Sequence, residues 1–348
     1  MKTFIRRAFA ALTIVAGASS VLTAPPAHAA TAAPGYVALG DSYAAGAGAG
    51  NYINDGSGCR RSANTHDVLI AQSQGLALDL QACSGAVVAD VAGRQLGALN
   101  ASTAYVTISA GGNDVGFSHV ISECAQPGWM SNCNGAIDDA LATANNALPG
   151  RLAGLYASVR ARAPHAKVTV TGYPLLFNGT DCHVLTFFSG DEMSRLNSAT
   201  RRLDAILAGE AAKAGFAFAD VRGIMAGHAV CDRPAWITNL TTLSAGDSYH
   251  PNADGQRYGY APPTSAAMGV GGPVSGMGTR AASVRTGTTT SSDTRRGRIT
   301  IPDLTTPAAR RKAAAAGVTR AELDAIVRAQ RSGASNATLE RMSVAATR

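Results

Sequence analysis

The feature that most restricts the fold of this chain is a repeated exchange between two periodicities. Tyr36–Leu39, Tyr105–Ser109, Lys167–Thr171 and Phe216–Ala219 are short runs of apolar and β-branched residues. Gly135–Arg162 and Glu192–Ala214 instead carry Leu, Ile and Val at three-and-four spacing in helix-forming surroundings. Short apolar runs fit strands buried on both faces, and the longer patterns fit amphipathic helices. Strands separated by helices are expected to pair in parallel, because a parallel return needs a long crossover. The predicted fold class is therefore α/β, a three-layer α/β/α arrangement with a mostly parallel sheet.

The first thirty residues are read as a signal peptide rather than as part of this fold. Lys2, Arg6 and Arg7 make a basic start, Ala8–Leu22 is mostly apolar, and Ala27-His28-Ala29 has the small-x-small cleavage pattern. Cleavage is expected after Ala29 or Ala30. The apolar run is too short and too rich in Ala and Gly for a stable membrane span. The mature chain is expected to be secreted. Export gives meaning to the six cysteines, Cys59, Cys83, Cys124, Cys133, Cys182 and Cys231. An even count in an exported chain implies disulfides, with fifteen connectivities open to six cysteines. No Cys-x-x-Cys pair points to a zinc ribbon or a redox motif. The simplest proposal pairs them in chain order, and closing the longest such loop would contribute roughly ~3–4 kcal/mol.

Charge divides the chain. Residues 31–260 hold fourteen Lys and Arg against eighteen Asp and Glu, a balance of −4, whereas 261–348 hold thirteen against five, or +8. An acidic body argues against nucleic acid as a partner. Residues 31–260 are read as one catalytic domain. Residues 261–302, rich in Gly, Pro, Ser, Thr and Ala, are read as a flexible linker. Residues 303–348 are read as a basic, Ala/Arg-rich helical tail: Thr306-Pro307 opens a helix that Gly317 ends, and Thr319 to Glu322 fits a capping box before Leu323, Ile326 and Val327. A last turn is expected around Leu339–Val344. Such a tail either remains solvated or docks on an anionic membrane or cell-wall polymer.

Four short motifs carry chemistry. Gly40-Asp41-Ser42-Tyr43 follows the first apolar run, and open α/β sheets bind ligands at the carboxyl ends of their strands. Alone, Asp-Ser would equally suit a helix cap. Its companions are Cys83-Ser84-Gly85-Ala86, Gly111-Gly112-Asn113-Asp114 directly after the run ending at Ser109, and Asp247-Ser248-Tyr249-His250-Pro251-Asn252. A glycine N–H and an Asn carboxamide can donate to a developing oxyanion. Pro251 suits a helix's first turn, placing His250 in its entrance loop.

These motifs, with Ser42, Gly85, Asn113 and His250 in that order, resemble the four blocks of the SGNH (GDSL-type) hydrolases. The likeness spans about residues 35–260 and is nearest to the exported lipases and esterases of actinomycetes, with Tyr43 where the fuller motif has Leu. It implies a flavodoxin-like sheet and consecutive disulfide pairing. It also implies a nucleophilic Ser42, a general base His250, and an oxyanion hole of Ser42 N–H, Gly85 N–H and Asn113. Asp247, three residues before His250, would complete a triad, although some relatives use a main-chain carbonyl there. The mechanism needs no metal and no organic cofactor. Asp41 and Asp114 are read as turn formers rather than metal ligands or a glycosidase pair.

The resemblance implies a lipid or small ester as substrate, and lipase/esterase activity leads. Phospholipase A, a carbohydrate (acetyl) esterase, and a non-catalytic secreted binding module on the same fold are the alternatives. Phe117, Trp129, Leu175, Leu176, Phe177, Phe187 and Phe188 are candidate acyl-chain contacts, and Leu185-Thr186-Phe187-Phe188 is expected to be an exposed lipid-contacting patch.

Overall fold

The computed structural model describes residues 33–183, 186–241, 246–271, 283–290, 299, 303–315 and 317–332, with 334, 338, 341, 342, 345 and 346. The signal-peptide reading, Leu185, and Leu339 and Val344 of the last expected turn lie outside the described residues.

The strands are β1 (Gly35–Gly40), β2 (Ala77–Leu80), β3 (Thr103–Ser109), β4 (Lys167–Thr171), β5 (Ala217–Ala219) and β6 (Val284–Thr286). All pair in parallel in the order β5-β4-β3-β1-β2-β6. The helices are α1 (Ser42–Ala45), α2 (His66–Gln74), α3 (Val88–Asp90), α4 (Phe117–Cys124), α5 (Cys133–Asn146), α6 (Leu148–Arg162), α7 (Gly190–Lys213), α8 (Ala261–Met268), α9 (Pro307–Ala315) and α10 (Arg320–Arg331).

β1 shows why the sheet is central. Its alternate residues face opposite ways, and both sets are buried, as a strand covered on both faces requires. Tyr36 and Ala38 join a cluster with Val68 and Ile70 of α2 and Met268 of α8. Val37 and Leu39 join a larger one with Ile137 of α5, Leu148 and Leu152 of α6 and Leu207 of α7. Three layers follow, α/β/α. β2 and β3 flank β1, so the winding reverses there and a crevice opens beyond the carboxyl ends of β1 and β3.

Local sequence explains most boundaries. The helical pattern over 135–162 divides at Ala147, because Pro149 occupies the first turn of α6, where a missing N–H costs nothing. Ser189 and Glu192 cap α7 reciprocally, and Thr319 and Glu322 do the same for α10. The disulfides join Cys59 to Cys83, Cys124 to Cys133 and Cys182 to Cys231, which is chain-order pairing.

Two expectations need correction. The segment 261–302 is not simply a linker: α8 packs on the sheet, with Ala261 and Met268 buried, and β6 completes the edge beside β2. Arg61, fully buried, holds this edge by donating to the carbonyls of Gly287 (3.0 Å) and Thr289 (3.1 Å). Neither is Phe187-Phe188 an exposed patch. Phe187 is covered by Leu323 and Ile326 of α10 with Leu304 and Val318 of the segments flanking α9, and Phe188 packs in the main core. Small residues supplied enough backbone contact for the first, and a distant segment supplied the cover for the second.

Candidate active site

The carboxyl end of β1 turns directly into α1. Asp41 caps this short helix, accepting from the Tyr43 N–H at 3.0 Å, and Ser42 is its first residue. The turn requires glycine at 40: φ is +138°, and a Cβ would stand 2.2 Å from the carbonyl oxygen of Ser109 in β3. Gln95 clamps that glycine from both sides, its Oε1 accepting from Gly40 N–H (2.7 Å) and its Nε2 donating to Gly40 O (2.9 Å).

His250 reaches Ser42 from the other end of the domain. Its Nε2 lies 2.6 Å from Ser42 Oγ, and its Nδ1 lies 2.9 Å from the main-chain oxygen of Ser248. A carbonyl only accepts, so the proton sits on Nδ1 and Nε2 presents a lone pair to the serine hydroxyl. Burial pushes the His250 pKa down to about 4, against smaller opposing effects of the Ser248 carbonyl and Asp247. The imidazole is therefore a neutral base at physiological pH. The histidine loop is held by Tyr43, whose hydroxyl donates to Tyr249 O at 2.8 Å, and by main-chain bonds between Thr238 and both Tyr249 and His250 (2.8 Å each). Gly48 lies against the histidine loop, since a Cβ there would meet His250 Cβ at 2.9 Å and Pro251 O at 3.0 Å.

The Asp247 carboxylate is not where a triad places it. It bonds the Arg60 guanidinium and the Tyr52 hydroxyl and accepts from Gly48 N–H at 3.1 Å. The acceptor at His250 Nδ1 is the Ser248 carbonyl instead. Asp247 precedes a tight turn in which Tyr249 adopts a left-handed φ of +59°, and its side chain leaves towards the more exposed Arg60.

Of the other expected residues, Asn113 lines the same cleft as Ser42 and is oriented by donating from Nδ2 to Ala86 O at 3.0 Å. Gly85 neighbours that acceptor, in a loop docked on β1 through Cys83 N–H to Gly40 O (2.9 Å), but it lines a separate, smaller depression rather than the cleft of Ser42 and Asn113. The main cleft is open to solvent and mostly apolar, with Phe117, Ile121, Leu141, Leu176, Phe177 and Leu203 in its wall. Trp129 and Phe187, offered above as acyl contacts, pack under the C-terminal helices instead. Among the described residues no group of three His, Cys, Asp or Glu could hold a metal ion.

Several residues at the site had no motif to reveal them. Tyr173, just past β4, donates its hydroxyl to Asp41 Oδ2 (2.6 Å) and accepts from Gly112 N–H (3.1 Å), linking the serine turn to the Asn113 loop. Its place at a strand's carboxyl end was the available signal. Gln95 and Gln256 sit in two π-helical turns, 91–95 and 255–260, and each reaches the serine turn; Gln256 Nε2 donates to Tyr43 O at 3.0 Å. Such turns recur near functional sites, but nothing in the local sequence marks them.

With this geometry in place, comparison with known proteins is consistent. Residues 38–258 match the GDSL-like lipase/acylhydrolase family model. The chain is 41% identical to Lipase 1 of Streptomyces coelicolor over 75% of its own length and 94% of that protein's. It is 40% identical to a lipase of Streptomyces rimosus, over 71% and 90% of the respective lengths. The crystal structure of phospholipase A1 from Streptomyces albidoflavus superposes with a TM-score of 0.64 at 38% identity, covering 68% of this chain and all of that one. The chain belongs to the GDSL-like lipase/acylhydrolase family and is a carboxylic ester hydrolase.

Proposed function

We propose that this is a secreted lipase or esterase that cleaves acyl esters of lipids through a covalent acyl-enzyme. The observation that carries the reading is the 2.6 Å contact between His250 Nε2 and Ser42 Oγ, beside an apolar cleft that suits an acyl chain. Six cysteines paired in three disulfides and similarity to an extracellular lipase of Streptomyces rimosus support export.

In the proposed mechanism Ser42 Oγ attacks the ester carbonyl carbon as its proton passes to His250 Nε2. The negative charge gathers on the former carbonyl oxygen, where Ser42 N–H, Gly85 N–H and the Asn113 amide donate; losing one such donor costs ~3 kcal/mol. Collapse expels the alcohol, which takes the proton back from the imidazolium. Water then attacks the acyl-serine, giving its proton to His250, and the carboxylic acid leaves with Ser42 restored. The Ser248 carbonyl keeps the imidazole in the productive tautomer and stabilises its transient charge.

Phospholipase A activity is the second reading, favoured by the 38% identity to a phospholipase A1 over that protein's full length. Short and long p-nitrophenyl acyl esters, with a phosphatidylcholine assay alongside, test both. Ser42→Ala is expected to abolish hydrolysis of all three, by about 10⁴-fold or more. Survival of activity in that variant would overturn the mechanism. Release of fatty acid from phosphatidylcholine by wild type would establish the second reading.

A further inference from the structure

We infer that the helical pair α9–α10 is a docking platform for an anionic lipid bilayer, mounted on the rim of the catalytic cleft. The inference deepens the reading of the substrate as lipid and rests on it.

The apolar side of this pair is already occupied. Leu304, Ala313, Val318, Leu323 and Ile326 bury themselves around Phe187, with Trp129 and Met130 packed against them. Lys312 Nζ adds a bond to Met130 O at 3.2 Å. Both points of attachment connect to the cleft wall through a neighbouring residue or helix. Phe188, next to Phe187, packs on the cleft-lining Phe177 with ring centres 4.8 Å apart and lies 6.0 Å from Tyr249, beside the catalytic histidine. Trp129 and Met130 follow α4, whose Phe117 and Ile121 line the same cleft.

The outward side is cationic. Arg311, Lys312, Arg320, Arg328, Arg331 and Arg341 are exposed. Asp324 lies 3.9 Å from both Arg310 and Arg320, and Glu322 caps the N–H of Thr319. No carboxylate among the described residues lies within salt-bridge distance of Arg311, Arg328, Arg331 or Arg341. In the body, Arg60, Arg61, Arg151, Arg195 and Arg222 each meet an aspartate, and the overall balance there is acidic. A body of net charge −4 would be repelled by an anionic surface, and the platform supplies the opposite sign. Because its apolar stripe is spent on the body, the platform would bind by charge rather than insertion, and screening would weaken it.

The test uses the full chain with vesicles of ether-linked phosphatidylglycerol or ether-linked phosphatidylcholine, which an ester hydrolase cannot degrade. Co-sedimentation is expected on the anionic vesicles at low salt, to fall steeply at about 0.5 M salt, where charge is screened beyond a few ångströms. Binding to the zwitterionic vesicles is expected to be weak. The combined variant Arg311→Gln, Arg328→Gln, Arg331→Gln is expected to lose about fivefold in affinity for each charge that lies near the surface. Hydrolysis of a short soluble p-nitrophenyl ester by that variant is expected to match wild type, which also certifies its fold. Equal binding to both vesicle types, binding indifferent to salt, or unchanged binding by the variant would overturn the proposal. So would a soluble poly(glycerol phosphate) polymer binding as tightly as vesicles at equal phosphate. Absence of ester hydrolysis in wild type would strike the catalytic reading and leave the vesicle result intact.

Discussion

The serine turn and the histidine loop each bring one half of the dyad, and each carries an aspartate just upstream, yet the two carboxylates are used in opposite ways. Asp41 is buried and holds three donors at once: Tyr43 N–H (3.0 Å), Ser109 Oγ (3.1 Å) and Tyr173 OH (2.6 Å). Asp247 is partly exposed and turned towards Arg60 and Tyr52 at the rim. The inner carboxylate organises the turn that carries Ser42, the proposed nucleophile, whereas the histidine is oriented by a peptide carbonyl that no substitution of a side chain can remove. Closeness in sequence to a catalytic residue therefore does not decide which acid serves it. The path of the backbone through the turn does.

Three measurements press on this contrast. The largest effect is expected from Asp41→Ala, which strands three buried donors, each costing about 1–3 kcal/mol when left unpaired. Chemical denaturation should register a loss of several kcal/mol; a loss below about 1 kcal/mol would mean that the network is not organising anything. Tyr173→Phe comes next, since it cuts the link between Asp41 and the Gly112 N–H without emptying the space. We expect kcat on a soluble ester to fall about tenfold with KM little changed, as for an interaction that matters mainly in the transition state. A rise in KM at constant kcat would instead make Tyr173 a wall of the cleft.

The third measurement is titration of the two sites. Burial raises the Asp41 carboxyl from 3.8 to about 6 and lowers the His250 imidazole from 6.5 to about 4. The signs oppose. As pH falls from about 6 towards 3.8 the folded state takes up a proton at Asp41 ahead of the unfolded chain, and stability gains. As pH falls from 6.5 towards about 4 the unfolded chain protonates its histidine first, and stability is lost. An NMR titration of the His250 ring should place its midpoint near 4; a midpoint near 6.5 would deny the buried, neutral base.

Much of this was legible in the residues, and the failures have physical causes. β1, β3 and β4 announced themselves because both their faces are largely buried, which makes the apolar runs continuous; β5, a partly buried edge strand, was marked by the short apolar run Phe216–Ala219. β2 did not, since Ala77-Leu78-Asp79-Leu80 is short and Asp79 interrupts it; that aspartate pairs with Arg285 of β6 and accepts from Gln81 Nε2 at 2.6 Å. β6 and α8 were hidden by composition, because edge strands and helices built of small residues need little apolar surface of their own. Phe187 looked exposed because its cover lies more than a hundred residues further along the chain. That Ser42 meets His250 and shares a cleft with Asn113 could be anticipated from their motifs. The acceptor at His250 Nδ1 could not, because a main-chain carbonyl leaves no mark on the sequence.

The most direct test of the account is the kcat of Asp247→Asn on a soluble ester. Loss of a true triad aspartate lowers kcat by about 10⁴-fold, because the imidazole adopts the wrong tautomer. With the Ser248 carbonyl in that role, Asp247→Asn is expected to change kcat only a few-fold. A loss approaching about 10⁴-fold would contradict the account and return Asp247 to the triad.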